Sequence, residues 1–285
     1  MTANILDGIA LGLQFGLLAT GLTLVYGLGG VLNLAYGQMA VVSAMVVLLT
    51  MEAGVPTIGA VGLGLLAGGL FGLLLDVTVL PSIYRRQGEA RVLLSLLVTL
   101  GLAFIVDGFF NWRFPLRGLS LRIGGGPVEI LGVPMRRGSL VASAITLVAM
   151  GGLLWFFRAT ISGRAIRSVM EDEEGARLVG IDPRRMLRLI LILTGVLAGL
   201  VAVTRSMVAP VTVRAGFEMT VSALIVTVVG GLGSVSGALV AGIILGIVNI
   251  IAASYIGTFL SLIILLVAAA VTILIRPSGL LGVRE

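Results

Sequence analysis

Two glycine-rich stretches place amide and hydroxyl side chains inside an otherwise apolar chain. The first, TLVYGLGGVLNLAYGQMA, spans residues 23–40, and the second, TVVGGLGSVSGALVAG, spans residues 227–242. A glycine in a helix interior costs about 1 kcal/mol relative to alanine, and a buried amide must find a hydrogen-bond partner. The two stretches therefore indicate broken helices with polar groups beside them, whose chemistry is hydrogen bonding to a solute.

The residue types on which most enzymes rely are missing. The chain has no cysteine and no histidine, and all 19 of its basic residues are arginine. Thiol and imidazole catalysis, Schiff bases and metal sites built from histidine or cysteine are therefore excluded. The phosphate-binding loop GxxxxGK[ST] is excluded as well, because it needs a lysine. An intramembrane enzyme is the weakest interpretation, and we expect neither a cofactor nor a metal in this chain.

Long apolar windows must position these side chains. Of the 285 residues, 58% are hydrophobic and 11% are charged, whereas a soluble domain carries about 25% charged residues. A helix needs about 20 apolar residues to cross the hydrocarbon core. The sequence therefore predicts an all-α polytopic membrane protein with about eight transmembrane segments. The windows lie at roughly 5–28, 38–52, 58–80, 92–110, 139–157, 188–209, 219–250 and 256–275.

The distribution of arginine predicts the orientation of the chain. Placing 82–91, 158–188 and the C-terminus in the cytoplasm puts twelve arginines there and leaves seven on the other side, as the positive-inside rule requires. The net charge of +6 then belongs to the flanks of membrane spans, and no nucleic-acid partner is expected. Residues 111–138 form an external loop with a small hairpin around GGGPVEILGVP. The N-terminus lies outside, and because it lacks the basic residues of a cleaved signal, the first span is expected to be retained.

The window 219–250 does not fit a simple span. With residues 158–188 inside, this window must enter and leave on the outer side. Its 32 residues are too many for one straight span and few for two. Two half-helices that meet at a glycine-rich break near mid-membrane would fit the length of the window. They would also let the chain enter and leave on the same side of the membrane.

The two glycine-broken segments lie in opposite halves of the chain and are predicted to be related as an internal repeat. Paired breaks of this kind point to a transport path, in which freed N–H groups suit a carboxylate and freed carbonyls suit an ammonium group. Other spaced glycines, such as Gly64 with Gly68 and Gly242 with Gly246, are interpreted as sites of close helix packing. The residues predicted to line the path are Gly29, Gly30, Asn33, Tyr36, Gln38, Thr227, Gly230, Gly231 and Ser234.

Few acidic residues fall within the apolar windows. Asp76 and Asp107 lie near span ends, where capping or pairing with an arginine is expected. Ion-coupled carriers usually place an ionisable group at mid-membrane, and this chain offers no convincing candidate. A secondary transporter or a channel for a small solute is the alternative interpretation, because either would explain broken helices.

Residues 163–182, GRAIRSVMEDEEGARLVGID, combine an amphipathic helix, an acidic run and a second apolar patch. On the cytoplasmic side, such a segment predicts a docking surface for a partner protein, which a carrier or channel would not need. The alternative is a surface helix on lipid headgroups, which the acidic run disfavours. The docking residues are predicted to be Gly163, Arg164, Arg167, Glu174, Gly175, Ala176, Leu178, Val179 and Gly180.

Four motifs now occur in order along nearly the whole chain. They are GLTLVYGLGGVLNLAYGQ (21–38), GRAIRSVMEDEEGARLVGID (163–182), VVGGLGSVSGALVAGIILG (228–246) and RPSGLLG (276–282). Together they resemble the integral membrane permeases of branched-chain amino acid ABC transporters, the high-affinity leucine/isoleucine/valine permease family. The chain departs from the family pattern at Tyr36-Gly37, where His-Gly is common, and in LPSIYRR, where an Arg-Pro motif is usual.

The resemblance implies a single transmembrane permease domain, residues 1–285, that spans the bacterial inner membrane several times. It implies import of branched-chain or related apolar amino acids, driven by ATP hydrolysis in partner subunits that bind the ATP and Mg²⁺. Two cytoplasmic ATPase subunits would dock on the loop 158–188. A second permease subunit and a periplasmic substrate-binding protein would complete the assembly.

Overall fold

The computed structural model describes residues 2–86, 88–130, 133–276 and 278–281. Among them, six helices are long and apolar enough to cross a membrane and three more are shorter apolar helices, which confirms an all-α polytopic membrane protein. The helices are α1 (Thr2–Gly29), α2 (Tyr36–Glu52), α3 (Thr57–Thr78), α4 (Leu80–Ile83), α5 (Glu89–Arg113), α6 (Arg137–Ala159), α7 (Ile161–Glu171), α8 (Glu173–Leu178), α9 (Pro183–Ser206), α10 (Ala215–Gly230), α11 (Val235–Ile256) and α12 (Thr258–Ile275). The strands are β1 (Gly118–Leu119), β2 (Val128–Ile130), β3 (Val133–Met135) and β4 (Val211–Thr212).

Helix α1 lies at the centre of the bundle, and most of its residues are buried. Gly8 packs on Ile247 and Gly16 packs on Leu239, so α1 and α11 run antiparallel along their length. A side chain at Gly246 would collide with the backbone of α1. Small residues thus let the two backbones approach closely, which is how apolar helices gain contact area inside a membrane.

Helix α3 joins the bundle through the same kind of contact. A Cβ atom at Gly64 would lie 2.8 Å from the carbonyl oxygen of Ser43 in α2. A Cβ atom at Gly68 would collide with the carbonyl oxygen of Gly195 in α9. The interpretation of these spaced glycines as sites of close helix packing is confirmed.

The ends of the spanning helices form two groups, which we name the basic end and the hairpin end. The basic end contains residues 158–188, and the last residue of α1, Gly29, lies beside Leu187 there. The hairpin end contains residues 111–138, where β2 pairs antiparallel with β3 and β1 pairs antiparallel with β4. The hairpin expected around GGGPVEILGVP is therefore confirmed, and α6 separates the two loops by one span.

The window 219–250 divides into two helices at its glycine-rich stretch, and the predicted depth of this break, near mid-membrane, is wrong. Helix α10 has 16 residues and α11 has 22 residues, so α11 is a complete span rather than a half-helix. The turn between them lies at the basic end, because Gly233 packs on Gly27 and Ser234 shares a cleft with Arg158 and Arg167. The expectation that the window begins and ends on the same side holds, because the chain leaves the hairpin end along α10 and returns to it along α11.

Candidate functional site

The first predicted break is an extended segment that turns back into the bundle. Gly30 adopts a φ of +58°, which glycine tolerates without steric cost, and the next residues run along α5. The N–H of Leu32 donates to Ser95 Oγ at 3.2 Å, and the N–H of Leu34 donates to Thr99 Oγ1 at 3.0 Å. Two hydroxyl groups of α5 thus satisfy irregular backbone inside the protein, as burial at membrane depth requires.

Helix α2 begins inside the bundle rather than at its basic end. The hydroxyl of Tyr36 lies against Gly21 of α1. At a rise of 1.5 Å per residue, Gly21 is about 12 Å along the helix axis from Gly29, the last residue of α1. The N–H of Gly37 donates to Thr220 Oγ1 of α10 at 2.9 Å. The extended segment therefore carries the chain from the basic end to the interior before α2 starts.

Three of the predicted path residues carry buried polar atoms with no hydrogen-bond partner among the described residues. These atoms are Asn33 Nδ2, Tyr36 Oη and Gln38 Oε1, on side chains that are at most 2% exposed. A buried polar group without a partner costs about 1–3 kcal/mol. Such atoms are expected to form a hydrogen bond to a water molecule, to a solute, or to another protein group in a different conformation.

The two acidic residues of the spans differ in their partners. Asp76 Oδ2 accepts a hydrogen bond from Arg188 Nε at 2.6 Å, so the expected pairing with arginine is confirmed there. Asp107 forms no ion pair with an arginine of the described chain, and the expectation for it is wrong. Its carboxyl group interacts with Gln38, while its Oδ1 atom has no hydrogen-bond partner in the described ranges. We name Asn33, Tyr36, Gln38 and Asp107 the polar cluster.

The second predicted break is a short turn that the end of the chain covers. Gly231 adopts a φ of +105° directly after α10. The N–H of Leu280 donates to the Val229 carbonyl oxygen at 2.9 Å, and the N–H of Leu281 donates to the Gly230 carbonyl oxygen at 3.1 Å. Residues of the RPSGLLG motif therefore cap α10, a role that the sequence did not indicate because the partners are about 50 positions apart.

The backbone groups at the two breaks are thus largely bonded within the protein. The N–H groups before and at the start of α2 bond to side chains of α5 and α10, and the last carbonyls of α10 bond to the C-terminal segment. They are not free for a carboxylate or an ammonium group in this conformation, contrary to the expectation. Among the described residues, the unpaired groups near the first break are Tyr84 Oη, which lies beside Gly29, and side-chain atoms of the polar cluster.

Two predicted path residues of the second segment have structural partners. Thr227 Oγ1 donates to the Ala19 carbonyl oxygen at 3.1 Å and lies 3.3 Å from the hydroxyl of Thr23. Ser234 Oγ accepts from the N–H of Gly237 at 3.1 Å and so caps α11. The structure therefore places Thr227 at the contact between α1 and α10, and Ser234 at a helix start beside a cleft.

The charged segment folds as two short helices with well-defined caps. The hydroxyl of Thr160 accepts from the N–H of Gly163 at 2.9 Å at the start of α7. Asp172 Oδ1 accepts from the N–H groups of Glu174 and Gly175 at 3.0 Å each at the start of α8. A side chain at Gly175 would collide with this capping carboxylate. Any larger residue at this position would therefore have to displace the Asp172 carboxylate from the cap.

The two faces of this helix pair have different surroundings. Ile166 and Ala176 are at most 4% exposed and belong to the hydrophobic core. The prediction of Ala176 as a docking residue is therefore wrong, because its side chain packs inside this chain. Leu178 is 89% exposed and Val179 is 76% exposed, beside exposed charges that include Glu174. Arg164 and Arg167 are exposed on α7, and Gly180 ends the pair with a φ of +84°.

A small cleft of about 90 Å³ joins the helix pair to the first break. Glu173 and Arg177 line it from α8, and Gly29 lines it from the end of α1. Arg91 Nη1 donates to the Gly29 carbonyl oxygen at 3.3 Å, and its guanidinium lies 5.4 Å from the ring centre of Tyr84. Burial raises the pKa of Tyr84, so its hydroxyl stays neutral. The sequence predicted only that residues 82–91 face the cytoplasm, and it did not indicate this contact.

Comparison with known proteins places these features in a family. A family model described as the permease component of branched-chain amino acid transport systems matches residues 4–275. The high-affinity branched-chain amino acid transport system permease protein LivH of Escherichia coli is 26% identical over 212 residues, 69% of this chain and 68% of the relative. The corresponding protein BraD of Pseudomonas aeruginosa is 24% identical over 215 residues, 72% of this chain and 70% of the relative.

A relative with another printed substrate also matches. The fructose import permease protein FruF of Bifidobacterium longum is 26% identical over 225 residues, 76% of this chain and 59% of the relative. The family match and the six long apolar helices of the described residues make this chain a multi-pass protein of the cell membrane. With nearly its whole length matched, the chain belongs to the family of permease components of branched-chain amino acid transport systems.

Proposed function

We propose that this chain is the permease subunit of an ABC importer that moves branched-chain or related apolar amino acids across the bacterial inner membrane. The names of LivH and BraD support this substrate class. The chain would act with a second permease subunit, two cytoplasmic ATPases that bind ATP and Mg²⁺, and a periplasmic substrate-binding protein. Its own task is to provide the path and to respond to the ATPases.

The observation that carries this proposal is the exposed apolar pair at the basic end. Leu178 and Val179 are 89% and 76% exposed at the end of α8, whereas Ile166, Val169 and Ala176 of the same helix pair pack on the core of this chain. Large apolar side chains flanked by charges are typical of a protein–protein contact, because they gain stability only when a partner covers them. A cytoplasmic ATPase is the partner that an ABC permease needs.

The contacts of the helix pair suggest how docking would drive transport. Helix α8 shares the cleft with Gly29 and Arg91, and Arg91 holds the last turn of α1. A rigid displacement of α7 and α8 would pull on this point and shift the extended segment that follows Gly30. Movement of that segment would expose the polar cluster, which is closed in this conformation. Alternating access would follow from such shifts of packed helices.

The docking surface can be tested by charge insertion. We expect the double variant Leu178→Asp, Val179→Asp to insert normally and to lose co-purification of the ATPases together with transport, because charges would remain buried without partners in the contact. The matched control is Ile58→Asp, since Ile58 is also 89% exposed but lies at the start of α3, at the hairpin end. The docking role would be contradicted if the wild type, the double variant and the Ile58→Asp control all co-purified with equal amounts of the ATPases.

A sugar is the second candidate substrate, and the match to a fructose import permease favours it. The two candidates differ in a direct measurement. If the transporter takes up labelled L-leucine and excess fructose does not reduce this uptake, the substrate is the amino acid. If it takes up labelled fructose and excess L-leucine does not reduce this uptake, the substrate is the sugar.

A further inference from the structure

A cavity of about 360 Å³ opens near the hairpin end between α1, α9, α10, α11 and α12. Ligand sites in proteins usually have volumes of about 300–1,000 Å³, so this cavity suits a small molecule. Much of its wall is apolar, with Phe15 from α1, Ile225 from α10, and Leu262 and Leu266 from α12. The polar cluster and the breaks do not contribute to this wall.

Two opposite charges line the cavity without touching each other. Arg205 in the last turn of α9 is partly buried, and no carboxylate of the described chain lies within 4.0 Å of its guanidinium nitrogens. The acidic group that influences Arg205 electrostatically is Glu218, in the first turn of α10. A partly buried guanidinium without a contacting anion is costly. Because both side chains line the cavity and form no ion pair with each other, each can contact a ligand that brings one anionic and one cationic group.

Further polar groups surround the charged pair. Gln14 is 5% exposed and lines a recess that also borders Arg205 and Glu218, and its side-chain amide makes no hydrogen bond to any described residue. Asn249 and Ser261 also line the cavity, and Asn249 Nδ2 donates to Ser261 Oγ at 3.3 Å. The cavity thus combines a few convergent polar groups with apolar walls, as binding sites for small ligands do.

We propose that this cavity binds a free α-amino acid with an apolar side chain before it crosses the membrane. Arg205 would bind the α-carboxylate, Glu218 would bind the α-ammonium group, and the side chain would pack against Phe15, Leu262 and Leu266. The inference rests on the proposed function and names where its substrate binds on the outer side. Arg205 and Glu218 lie on different helices, and the fold brings them to one cavity.

The test uses the complete transporter in proteoliposomes with labelled L-leucine. We expect Arg205→Gln and Glu218→Gln to raise the KM for uptake about tenfold or more, because each loses a charge-assisted hydrogen bond. Arg205→Lys keeps the charge and should recover part of the affinity. The controls Arg214→Gln and Glu129→Gln change exposed residues near the same end and should leave the KM unchanged.

Analogues that lack one charge separate recognition from a general loss of folding. L-leucinamide lacks the carboxylate and 4-methylpentanoate lacks the ammonium group, so both should inhibit the wild type poorly. The preference for L-leucine over L-leucinamide should be smaller in Arg205→Gln than in the wild type. The preference for L-leucine over 4-methylpentanoate should be smaller in Glu218→Gln than in the wild type. An unchanged KM and unchanged discrimination in both variants would overturn the site and leave the importer function standing.

Two further outcomes are informative. If the wild-type transporter takes up no apolar amino acid, the proposed function and this site fail together. A photoreactive diazirine analogue of leucine should label α10, α11 or α12, and excess L-leucine should suppress the label. Labelling that excess L-leucine does not reduce would show a groove filled by lipid chains and would overturn the inference.

Discussion

Single side chains determine whether the first break can act as a path. Asn33 Nδ2, Tyr36 Oη and Gln38 Oε1 lack partners among the described residues although the side chains are buried, whereas a purely structural role would pair these atoms. The segment that carries them is held by Ser95 and Thr99 of α5. The sequence identified the unpaired residues by their position in an apolar stretch, but it could not identify two hydroxyls that lie more than 60 positions away.

Replacing Tyr36 with phenylalanine separates a structural from a transport role. We expect Tyr36→Phe to keep or raise the melting temperature, because it removes a buried hydroxyl without a partner that costs about 1–3 kcal/mol. Uptake of labelled L-leucine should fall several-fold if the hydroxyl binds the solute in the open conformation. The control is Tyr255→Phe, whose ring is 70% exposed. A clear loss of stability with unchanged uptake would assign Tyr36 to structure alone.

The helices differ in how well the sequence predicts them. Seven of the apolar windows correspond to one helix each, because about 20 apolar residues have few other arrangements in a membrane. The break in the window 219–250 was predicted from its glycines, but its depth was misjudged, because hydropathy does not show that the turn from Gly231 to Ser234 lies at the basic end. The relation of the two broken segments as an internal repeat stays a prediction. Ala176 was misassigned because periodicity shows an apolar face but not which protein covers it.

Close packing of α3 yields a prediction with an internal control. We expect Gly64→Val to lower stability by about 1–3 kcal/mol or more, because its side chain would collide with α2. Gly62→Val should have little effect, since nothing lies within 4 Å of a Cβ atom at Gly62 on the same helix. Thermal unfolding of both variants in detergent checks this. Equal melting temperatures would show that the contact between α2 and α3 is looser than described.

On the scale of the whole molecule, the two charged loops, residues 158–188 and 111–138, lie at opposite ends of the helix bundle. The arginine-rich residues 158–188 and the C-terminal cap of α10 lie at the basic end, and residues 111–138 lie at the hairpin end. Positive charge is retained on the cytoplasmic side during insertion, so we expect the basic end to face the cytoplasm. The external cavity with Arg205 and Glu218 would then receive the solute, and the helix pair would meet the ATPases.

Labelling of single cysteines tests this orientation, since the natural chain has none. A membrane-impermeant maleimide should label Ser120→Cys in intact spheroplasts, because Ser120 is exposed at the hairpin end. Ser168→Cys, exposed on α7, should react only after the membrane is permeabilised. The reverse pattern would invert the molecule and remove the docking role of the helix pair.

Reconstitution tests the central claim, that this chain is an importer subunit powered by partner ATPases. The permease is placed in liposomes with its co-purified ATPases and binding protein, and uptake of labelled L-leucine is measured with and without ATP. We predict uptake against a gradient that requires ATP, the ATPases and the binding protein together. Equal L-leucine flux without ATP or without the ATPases would identify a channel or a secondary carrier instead and would contradict the account.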